Sequence, residues 1–421
     1  MDLAVDESRL RADIERNGEF GAVEGTDHGR TNRTGSGANR AAREYLVERL
    51  AAAGLDVRVD SVGNVVGRWT PPGAAPDAAP VASGSHLDSV PEGGIFDGPL
   101  GVYAALEAVR AMQDAGVEPD RPIDVVSFTE EEGATFASGL LGSSVAVGER
   151  SVDEALALTD ESGRTLGEAL TAIGFAGEGR LDASDWDAWL ELHVEQHTEL
   201  EDAGVPVGIV TDVTGITHCA ATVEGKANHA GSTPMGRDER TDAMAAASEV
   251  VLAVEQAAEL RTAEDPAAVG TVGSLTVSPN ATNVVPGRVE MGVDVRSVER
   301  ESMDHLVDET RASLADVEEH RGVETTFERE FDVEPTHMAE RCRAALREAG
   351  ERTGIATREL HSGAAHDSMY VARVTDAGML FAPSRDGVSH NPAEWTDWAD
   401  CAAATRVLAG ALAALAGAAT D

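Results

Sequence analysis

The chain has 421 residues, of which 75 are acidic and 33 basic, for a formal net charge of −42. This length exceeds what one hydrophobic core usually serves, so we expect two domains. The strong negative charge argues against binding to nucleic acids, because it would repel their phosphates. Aromatic residues make up only 4% of the chain, so aliphatic side chains must build most of the core.

The acidic residues are spread along the whole chain, and the basic residues are nearly all arginine, with Lys226 as the single lysine. This composition predicts a halophilic surface, adapted to salt that screens repulsion between carboxylates. Cys219, Cys342 and Cys401 are far apart and lack metal or redox spacing, so we expect reduced thiols and a cytoplasmic protein. The N-terminus lacks a signal-sequence pattern, and the alanine-rich end from 407 to 419 is too short to span a membrane.

The first part of the chain alternates between strand-like and helix-like segments. Apolar periodicity predicts helices over 38–53 and 100–115. Alternating or continuous apolar runs predict strands over 55–59, 64–69, 81–85, 123–128 and 189–193. Strands that alternate with helices in this way indicate an α/β domain with a mixed, largely parallel sheet.

The middle of the chain has a different character. Alternating segments over 217–224, 270–277, 288–296 and 324–333 are separated by long helical runs over 238–258 and 301–318. This order predicts an inserted α+β sandwich domain over residues 213–329. The α/β pattern then returns with helices over 339–353 and from 397. We therefore predict one catalytic domain, formed by residues 1–212 and 330–421, that the insert interrupts.

Histidine and acidic side chains stand at the ends of several predicted strands. His86 and His193 end two strands, Glu132 follows a third, and Asp97 lies in a glycine-rich loop. Because ligands collect beyond the carboxyl ends of strands in open α/β sheets, we expect these side chains to converge. Imidazole and carboxylate suit zinc, manganese or cobalt, and Asp97 is the best candidate to bridge two ions ~3.5–4 Å apart. Asp88 could orient the His86 imidazole through its second nitrogen.

Each of these residues also has a simpler explanation. A single histidine is more often structural than a ligand, and the run from Glu130 to Glu132 alone could form a solvated acidic turn. We treat the histidines that lack a supporting motif as structural or surface residues: His28, His218, His305, His320 and His337. The joint pattern of histidines and carboxylates at strand ends favours the metal site over these explanations.

A series of short motifs runs from about residue 25 to residue 400. The segments are 84–90 (GSHLDSV), 93–102 (GGIFDGPLGV), 131–136 (EEGATF), 192–196 (LHVEQ), 227–235 (ANHAGSTPM), 283–287 (NVVPG), 294–296 (DVR) and 362–367 (SGAAHD). As a set, these motifs closely resemble the hydantoinase/carbamoylase family of amidohydrolases. That family belongs to the dinuclear zinc aminopeptidase and acylase superfamily.

The resemblance implies the metal ligands and the catalytic base. One divalent ion would be held by His86, Asp97 and His193, and the other by Asp97, Glu132 and His390. Two ions per subunit would bring the pKa of water toward neutrality. Glu131 would deprotonate the attacking water and return the proton to the leaving nitrogen.

The resemblance also implies functional residues in the inserted domain, which in the family forms the homodimer contact. His229 would polarise the scissile carbonyl, and Asn283 and Arg296 would bind the substrate carboxylate. Arg296 has the planar guanidinium that pairs with a carboxylate through two hydrogen bonds. In so acidic a chain, an anionic substrate needs a local cation of this kind.

Further substrate contacts are implied in the catalytic domain. Gln196 would recognise the ureido group, and the backbone around Gly363 and Ala365 would line the pocket. The chain departs from the family pattern here, with His197 and Thr198 in place of Gly-Pro, and Ala365 in place of Gly. These departures bear on substrate identity more than on the metal site.

The activity implied is hydrolysis of the C–N bond in a small ureido carboxylate, foremost an N-carbamoyl-L-amino acid. Allantoate and ureidopropionate hydrolysis are alternatives within the same group. A metallo-aminoacylase or dipeptidase is a further alternative, which the Glu195-Gln196 pair after His193 disfavours. A scaffold that only binds metal is disfavoured because Glu131, a candidate base, adjoins the candidate ligand Glu132.

Overall fold

The computed structural model describes residues 3–75, 77–136, 139–236 and 239–418. Its strands are β1 Asp56–Val59, β2 Val65–Trp69, β3 Val81–His86, β4 Ile123–Phe128, β5 Ala188–Val194, β6 Val207–Val213, β7 Gly215–Glu224, β8 Asn228–His229, β9 Val269–Ser278, β10 Val284–Val285, β11 Arg288–Ser297, β12 Glu324–Val333, β13 Thr336–His337, β14 Thr357–Ser362 and β15 Asp376–Ala382. Its α-helices are α1 Glu7–Gly18, α2 Gly37–Ala52, α3 Pro99–Asp114, α4 Leu141–Ala146, α5 Val152–Leu156, α6 Leu166–Ile173, α7 Glu199–Ala203, α8 Ala243–Arg261, α9 Arg300–Arg321, α10 Glu340–Thr353, α11 Ser368–Val371 and α12 Trp398–Leu415.

The chain divides into two units, of which the first comprises Met1–Thr211 with His337–Asp421 and the second Asp212–Thr336. The second unit extends past the predicted end of the insert at 329. The reason is strand β12, which continues to pair with β7 as far as Val333, so the chain leaves this unit only after that strand ends.

The first unit is organised around a large sheet with the strand order β1-β2-β4-β3-β5-β15-β6-β13, and β14 pairs with β6. The central strands β4, β3, β5 and β15 are parallel, whereas β1, β2 and β6 join antiparallel. This arrangement confirms the predicted α/β fold with a mixed, largely parallel sheet. Every residue of β3, β4 and β5 is buried, as expected for parallel strands covered on both faces.

Helix α12 completes the core of the first unit by packing against α3 and α10. Its 18 residues are long and apolar enough to cross a membrane by length and composition alone. However, 61% of this segment is buried inside the structure, including Cys401, Val407, Leu408 and Leu412. The packing therefore accounts for its apolar character as that of a core helix.

The second unit contains a four-stranded antiparallel sheet in the order β12-β7-β11-β9. Apolar side chains alternate along β7 and β11, and the buried set packs with residues of α8 and α9 in a separate core. This is the predicted α+β arrangement. Helix α8 begins at Ala243 rather than at the predicted position 238, because Asp242 caps it by accepting a hydrogen bond from Ala245 N.

Candidate metal centre

Three neighbouring parallel strands place histidine and acidic side chains at one edge of the sheet. Strand β3 ends at His86, β4 leads into the acidic run that contains Glu131 and Glu132, and β5 carries His193 near its end. His390 lies in the segment after β15, which is parallel to β5. Because the carboxyl ends of parallel strands meet at one edge, residues far apart in the chain come together there.

The first cluster joins His86, Asp97 and His193, all of which are buried. Asp97 Oδ1 lies 3.4 Å from His86 Nε2 and 3.3 Å from His193 Nε2. The other ring nitrogens face backbone carbonyls, with His86 Nδ1 3.2 Å from Asp88 O and His193 Nδ1 3.1 Å from Val194 O. These contacts favour protons on both Nδ1 atoms, so each Nε2 faces Asp97 and can act as a metal ligand when it carries no proton.

The second cluster joins Asp97, Glu132 and His390. His390 Nε2 lies 3.4 Å from Asp97 Oδ2 and 3.4 Å from Glu132 Oε2. Asp97 therefore turns one oxygen toward each cluster. Burial by itself raises the pKa of the Asp97 carboxyl, but electrostatic attraction to the surrounding histidines, His193 foremost, holds it well below its usual range. An ionised carboxylate between two groups of ligands is what a bridging role requires.

The donor atoms fit divalent metal ions. His86 Nε2 and Glu132 Oε1 are buried and make no hydrogen bond among the described residues. Buried polar atoms normally have a partner, and a bound ion would supply one to both atoms. Two imidazoles with a carboxylate, and two carboxylates with an imidazole, are sets that zinc, manganese and cobalt accept.

Glu131 lies beside this centre, with Oε2 3.7 Å from His86 Nε2. Burial raises the pKa of the Glu131 carboxyl well above its usual range, against the opposing charge of His86. A glutamate whose pKa lies above its usual range is a stronger base than an ordinary glutamate, as a general base requires.

Asp88 contacts the second ring nitrogen of His86 chiefly through its backbone. Its backbone carbonyl, and not its carboxylate, is the closer partner of His86 Nδ1, since the carboxylate Oδ1 lies 3.7 Å away. The carboxylate instead accepts hydrogen bonds from the backbone N–H groups of Glu131 at 3.3 Å and Glu132 at 3.2 Å. Asp88 therefore fixes the turn that carries the candidate base and a candidate ligand.

Backbone strain concentrates at this edge. Glu130, Gln196 and His390 all have positive φ, between 55° and 60°, where residues other than glycine are uncommon. Such conformations persist only where the surroundings enforce them, and they cluster at functional sites. At Glu130 the restraint is visible, because its carboxylate accepts hydrogen bonds from Thr135 N and Phe136 N.

Gln196 reaches the shared carboxylate. Its Nε2 donates to Asp97 Oδ2 at 2.9 Å and to Ser389 Oγ at 3.1 Å. Gln196 also lines a pocket of about 300 Å³ with Glu195, His197, Glu199, Leu360, His361, Gly363 and Ala364. Within the segment 363–365, Gly363 and Ala364 line this pocket, and the contact of this segment with substrate stays a prediction. His197, one of the departures from the family pattern, lies in the same lining.

Two buried residues near the centre were not found in the sequence. Arg30 is completely buried and donates to the carbonyls of Leu87, Gly94 and Asp97, so it joins the loops that carry two candidate ligands. Glu394 is also fully buried and accepts from the backbone N–H of Asp97 at 3.1 Å. Burial raises the pKa of Glu394 to about 7. No local pattern marks Arg30, and the only signal for Glu394 is its closeness in sequence to His390.

In the second unit, His229 and Asn283 lie near one another through the pairing of β8 with β10. His229 Nδ1 accepts hydrogen bonds from Gly231 N at 3.1 Å and Ser232 N at 3.2 Å. A ring nitrogen that accepts is unprotonated, so the neutral imidazole carries its proton on Nε2. The Nε2–H group takes no part in these two hydrogen bonds, and His229 is exposed, so this group can donate to a carbonyl oxygen.

Arg296 in the second unit is paired with a neighbour on its own strand. Its Nε and Nη2 lie 2.9 Å and 3.2 Å from the two carboxylate oxygens of Asp294. Asp294 Oδ2 also lies 3.0 Å from His218 Nε2, on the adjacent strand β7. His218, which we treated as a surface residue, thus belongs to the surroundings of Arg296.

A parallel α/β sheet with histidines and carboxylates gathered around a shared aspartate defines a metal-dependent hydrolase. The model of peptidase family M20/M25/M40 matches residues 82–414, and the chain belongs to that family.

Several relatives are similar over most of their length. An N-carbamoyl-L-amino acid amidohydrolase of Geobacillus stearothermophilus is 41% identical, over 88% of this chain and 89% of the relative. An allantoate amidohydrolase of Bacillus subtilis is 36% identical, over 82% of this chain and 83% of the relative. A ureidoglycolate hydrolase of Arabidopsis thaliana is 33% identical, over 89% of this chain and 79% of the relative. A crystal structure of a hydantoinase/carbamoylase family amidase from Burkholderia multivorans aligns with a TM-score of 0.92 and 37% identity, over 98% of each chain.

Proposed function

We propose that this enzyme hydrolyses the C–N bond of an N-carbamoyl-L-amino acid and releases the amino acid, ammonia and carbon dioxide. The observation that carries the proposal is the position of Asp97, whose two oxygens face two separate clusters of histidines and carboxylates. The choice of substrate is supported by the 41% identity to a relative with that name.

Within this proposal, His86, Asp97 and His193 hold one divalent ion, and Asp97, Glu132 and His390 hold a second. The ions are zinc, or manganese or cobalt. When bound, such a pair supplies Lewis acidity and lowers the pKa of water toward neutrality.

The side chains of the enzyme then handle protons and orientation. Glu131 takes the proton from the attacking water and passes it to the departing nitrogen, which a buried carboxylate of raised pKa can do. His229 donates its Nε2 proton to the substrate carbonyl, while Asn283 and Arg296 bind the substrate carboxylate. Their assignment is supported by the match to the family motifs and, for His229, by its tautomer. Gln196 binds the ureido group.

Allantoate is the second candidate substrate. Allantoate carries two ureido groups, each with both donors and acceptors of hydrogen bonds. The pocket beside Gln196 offers the same mixture, because its lining includes the imidazoles of His197 and His361 and the carboxylate of Glu199. The relative from Bacillus subtilis supports this alternative.

A substrate panel tests the proposal. Release of ammonia is measured for N-carbamoyl-L-amino acids, allantoate, ureidoglycolate and ureidopropionate, with zinc, manganese or cobalt added, in high salt. N-acetyl amino acids and dipeptides serve as the comparison. We expect the highest kcat/KM for an N-carbamoyl-L-amino acid, and a preference for N-acetyl amino acids or dipeptides would overturn the proposal in favour of an acylase or peptidase.

We further propose that two copies associate through residues 213–329. Support comes from exposed apolar side chains on α8 and on β9, which is an edge strand of its sheet: Met244, Leu252, Leu260, Val269 and Leu275. An apolar helix face beside an unpaired strand edge suits pairing with a second copy. Sedimentation of the protein should give the mass of a dimer, and Leu252→Arg should shift it to a monomer. A monomeric wild type would contradict this assignment.

We propose a halophilic protein on the basis of the net charge of −42 and the single lysine. Dilution into low salt should unfold it, because repulsion between carboxylates is then no longer screened. Full stability by circular dichroism in dilute buffer would contradict this proposal. A cytoplasmic location, without membrane or nucleic-acid partners, stays a prediction.

A further inference from the structure

The oxygen of Asp97 that faces His390 is already engaged by two donors. Asp97 Oδ2 accepts hydrogen bonds from Ser389 Oγ at 2.8 Å and from Gln196 Nε2 at 2.9 Å. A carboxylate oxygen offers about two lone-pair positions. A cation held by Asp97, Glu132 and His390 therefore binds best when both donors turn away, because a hydrogen bond to Oδ2 competes with the cation for the same oxygen.

The two donors differ in how they can do this. Gln196 has a long side chain, whose amide can swing away from Asp97. Ser389 has a short side chain, and rotation about its C–O bond is enough to turn the hydroxyl proton from Asp97 to another acceptor while the oxygen stays in place. The other acceptor within reach of this proton is Glu394 Oε2, which lies 3.1 Å from Ser389 Oγ.

Burial and backbone hydrogen bonds fix the position of the Glu394 carboxylate. It is fully buried, and its Oε1 accepts hydrogen bonds from Phe96 N at 2.9 Å and Asp97 N at 3.1 Å, which leaves Oε2 for Ser389. Gly94 makes the space, because a Cβ at that position would overlap Glu394 Oε1. The carboxylate thus connects the loop of Asp97 to the segment that carries His390.

We propose that Glu394 is a positioning residue for the divalent cation of the cluster Asp97, Glu132 and His390. It accepts the hydroxyl proton of Ser389 and so leaves Asp97 Oδ2 open to the metal. This inference rests on the proposed two-metal centre and assigns to Glu394 a role in binding one of its two ions.

Glu394→Gln distinguishes acceptance of the Ser389 proton from simple anchoring of the loop that carries Asp97. The amide oxygen keeps the hydrogen bonds from Phe96 N and Asp97 N, which directs the amide NH₂ toward Ser389. Ser389 must then accept from that NH₂, and its own proton points at Asp97 Oδ2. We expect affinity for the second equivalent of metal to fall ~10–100-fold, the range for partners that orient metal ligands, while the first equivalent stays.

Ser389→Ala in the Glu394→Gln background removes the blocking proton and should restore the second equivalent. Asp124→Asn is the control, because Asp124 is another fully buried carboxylate of the same unit, paired with Arg68 and outside the metal centre. Bound zinc per chain is measured by titration against a chelator at one slightly alkaline pH for all variants. Thermal unfolding is followed for each variant, so that loss of metal is distinguished from loss of fold.

Wild-type affinity in Glu394→Gln, or no recovery in the double variant, would overturn the inference while leaving the proposed function intact. A wild type that binds no more than one equivalent would instead overturn the two-metal centre and the inference with it.

Discussion

Gly98 lies directly against the imidazole of His86. A Cβ built at Gly98 would lie 2.6 Å from His86 Cε1, Nδ1 and the backbone oxygen, and the φ of Gly98 is +82°. The residue after the shared aspartate therefore has to be a glycine for two reasons, its backbone conformation and the space occupied by a candidate ligand. This contact between the backbone of Gly98 and the ring of His86 fixes the position of Asp97 relative to that of His86.

Gly98→Ala should weaken both the fold and the metal centre. We expect the free energy of unfolding to fall by ~1–3 kcal/mol, the cost of a strained backbone conformation, and bound zinc per chain to decrease because His86 is displaced. Gly37→Ala is the matched control, since Gly37 starts helix α2 and a Cβ there meets nothing within 4 Å. Urea denaturation and metal analysis check both variants, and a Gly98→Ala protein with wild-type metal content contradicts the prediction.

Glu131→Gln should separate catalysis from metal binding. Glutamine cannot accept the proton of the attacking water, so kcat should fall by ~10²–10⁴-fold, the usual contribution of a general base. Metal content should not change, because Glu131 belongs to neither cluster around Asp97. Glu92→Gln, at an exposed position, is the control for loss of one acidic charge. Turnover that survives in Glu131→Gln would remove this residue from the role of base.

Arg30→Met should destabilise the protein, because the buried Arg30 guanidinium donates hydrogen bonds to backbone oxygens of the loops around the metal centre. Its removal leaves the carbonyls of Gly94 and Asp97 without these donors. A buried polar group left unsatisfied costs ~1–3 kcal/mol, so we expect a loss of unfolding free energy of about that size for each. Arg33→Met, at an exposed position nearby, should change it by less than ~0.5 kcal/mol. Denaturant titration measures both, and equal stabilities would contradict the prediction.

The sequence predicts the fold, and the convergence of histidines and carboxylates at one sheet edge, because both follow from local patterns; the division of these residues into two ligand sets came from the family resemblance. Buried strands are recognisable as short apolar runs, and a histidine or acid at the end of such a run lies at the functional edge of a parallel sheet. His86, Glu132 and His193 were found in this way, and the structure brings them together as expected. Asp97 needed an additional signal, the glycines around it.

The supporting residues could not be predicted, since their partners are backbone atoms remote in sequence. Glu394 binds the N–H groups of Phe96 and Asp97, which precede it by 298 and 297 residues. Backbone groups carry no residue type, so no pattern in the sequence marks them as partners. For the same reason no sequence pattern predicts that the Asp88 carboxylate accepts hydrogen bonds from the backbone N–H groups of Glu131 and Glu132.

Arg296 gives the last prediction, which concerns substrate binding. Its guanidinium is paired with Asp294, so a substrate carboxylate must compete with a carboxylate already in place. Arg296→Ala should raise KM for carboxylate-bearing substrates by ~10–150-fold, which corresponds to ~1.5–3 kcal/mol for a hydrogen bond to a charged group. Asp294→Asn should lower KM, because it weakens the competitor while the arginine remains.

The control for this pair is Arg288→Ala, which removes an exposed arginine from the same strand, where it pairs with Glu224 and Glu290. Steady-state kinetics with one carboxylate substrate measures all three variants. If Arg288→Ala raises KM as much as Arg296→Ala, the effect is loss of positive charge from a very acidic protein. If only Arg296→Ala raises it and Asp294→Asn lowers it, the guanidinium binds the substrate, and Asp294 holds it oriented at a cost in affinity.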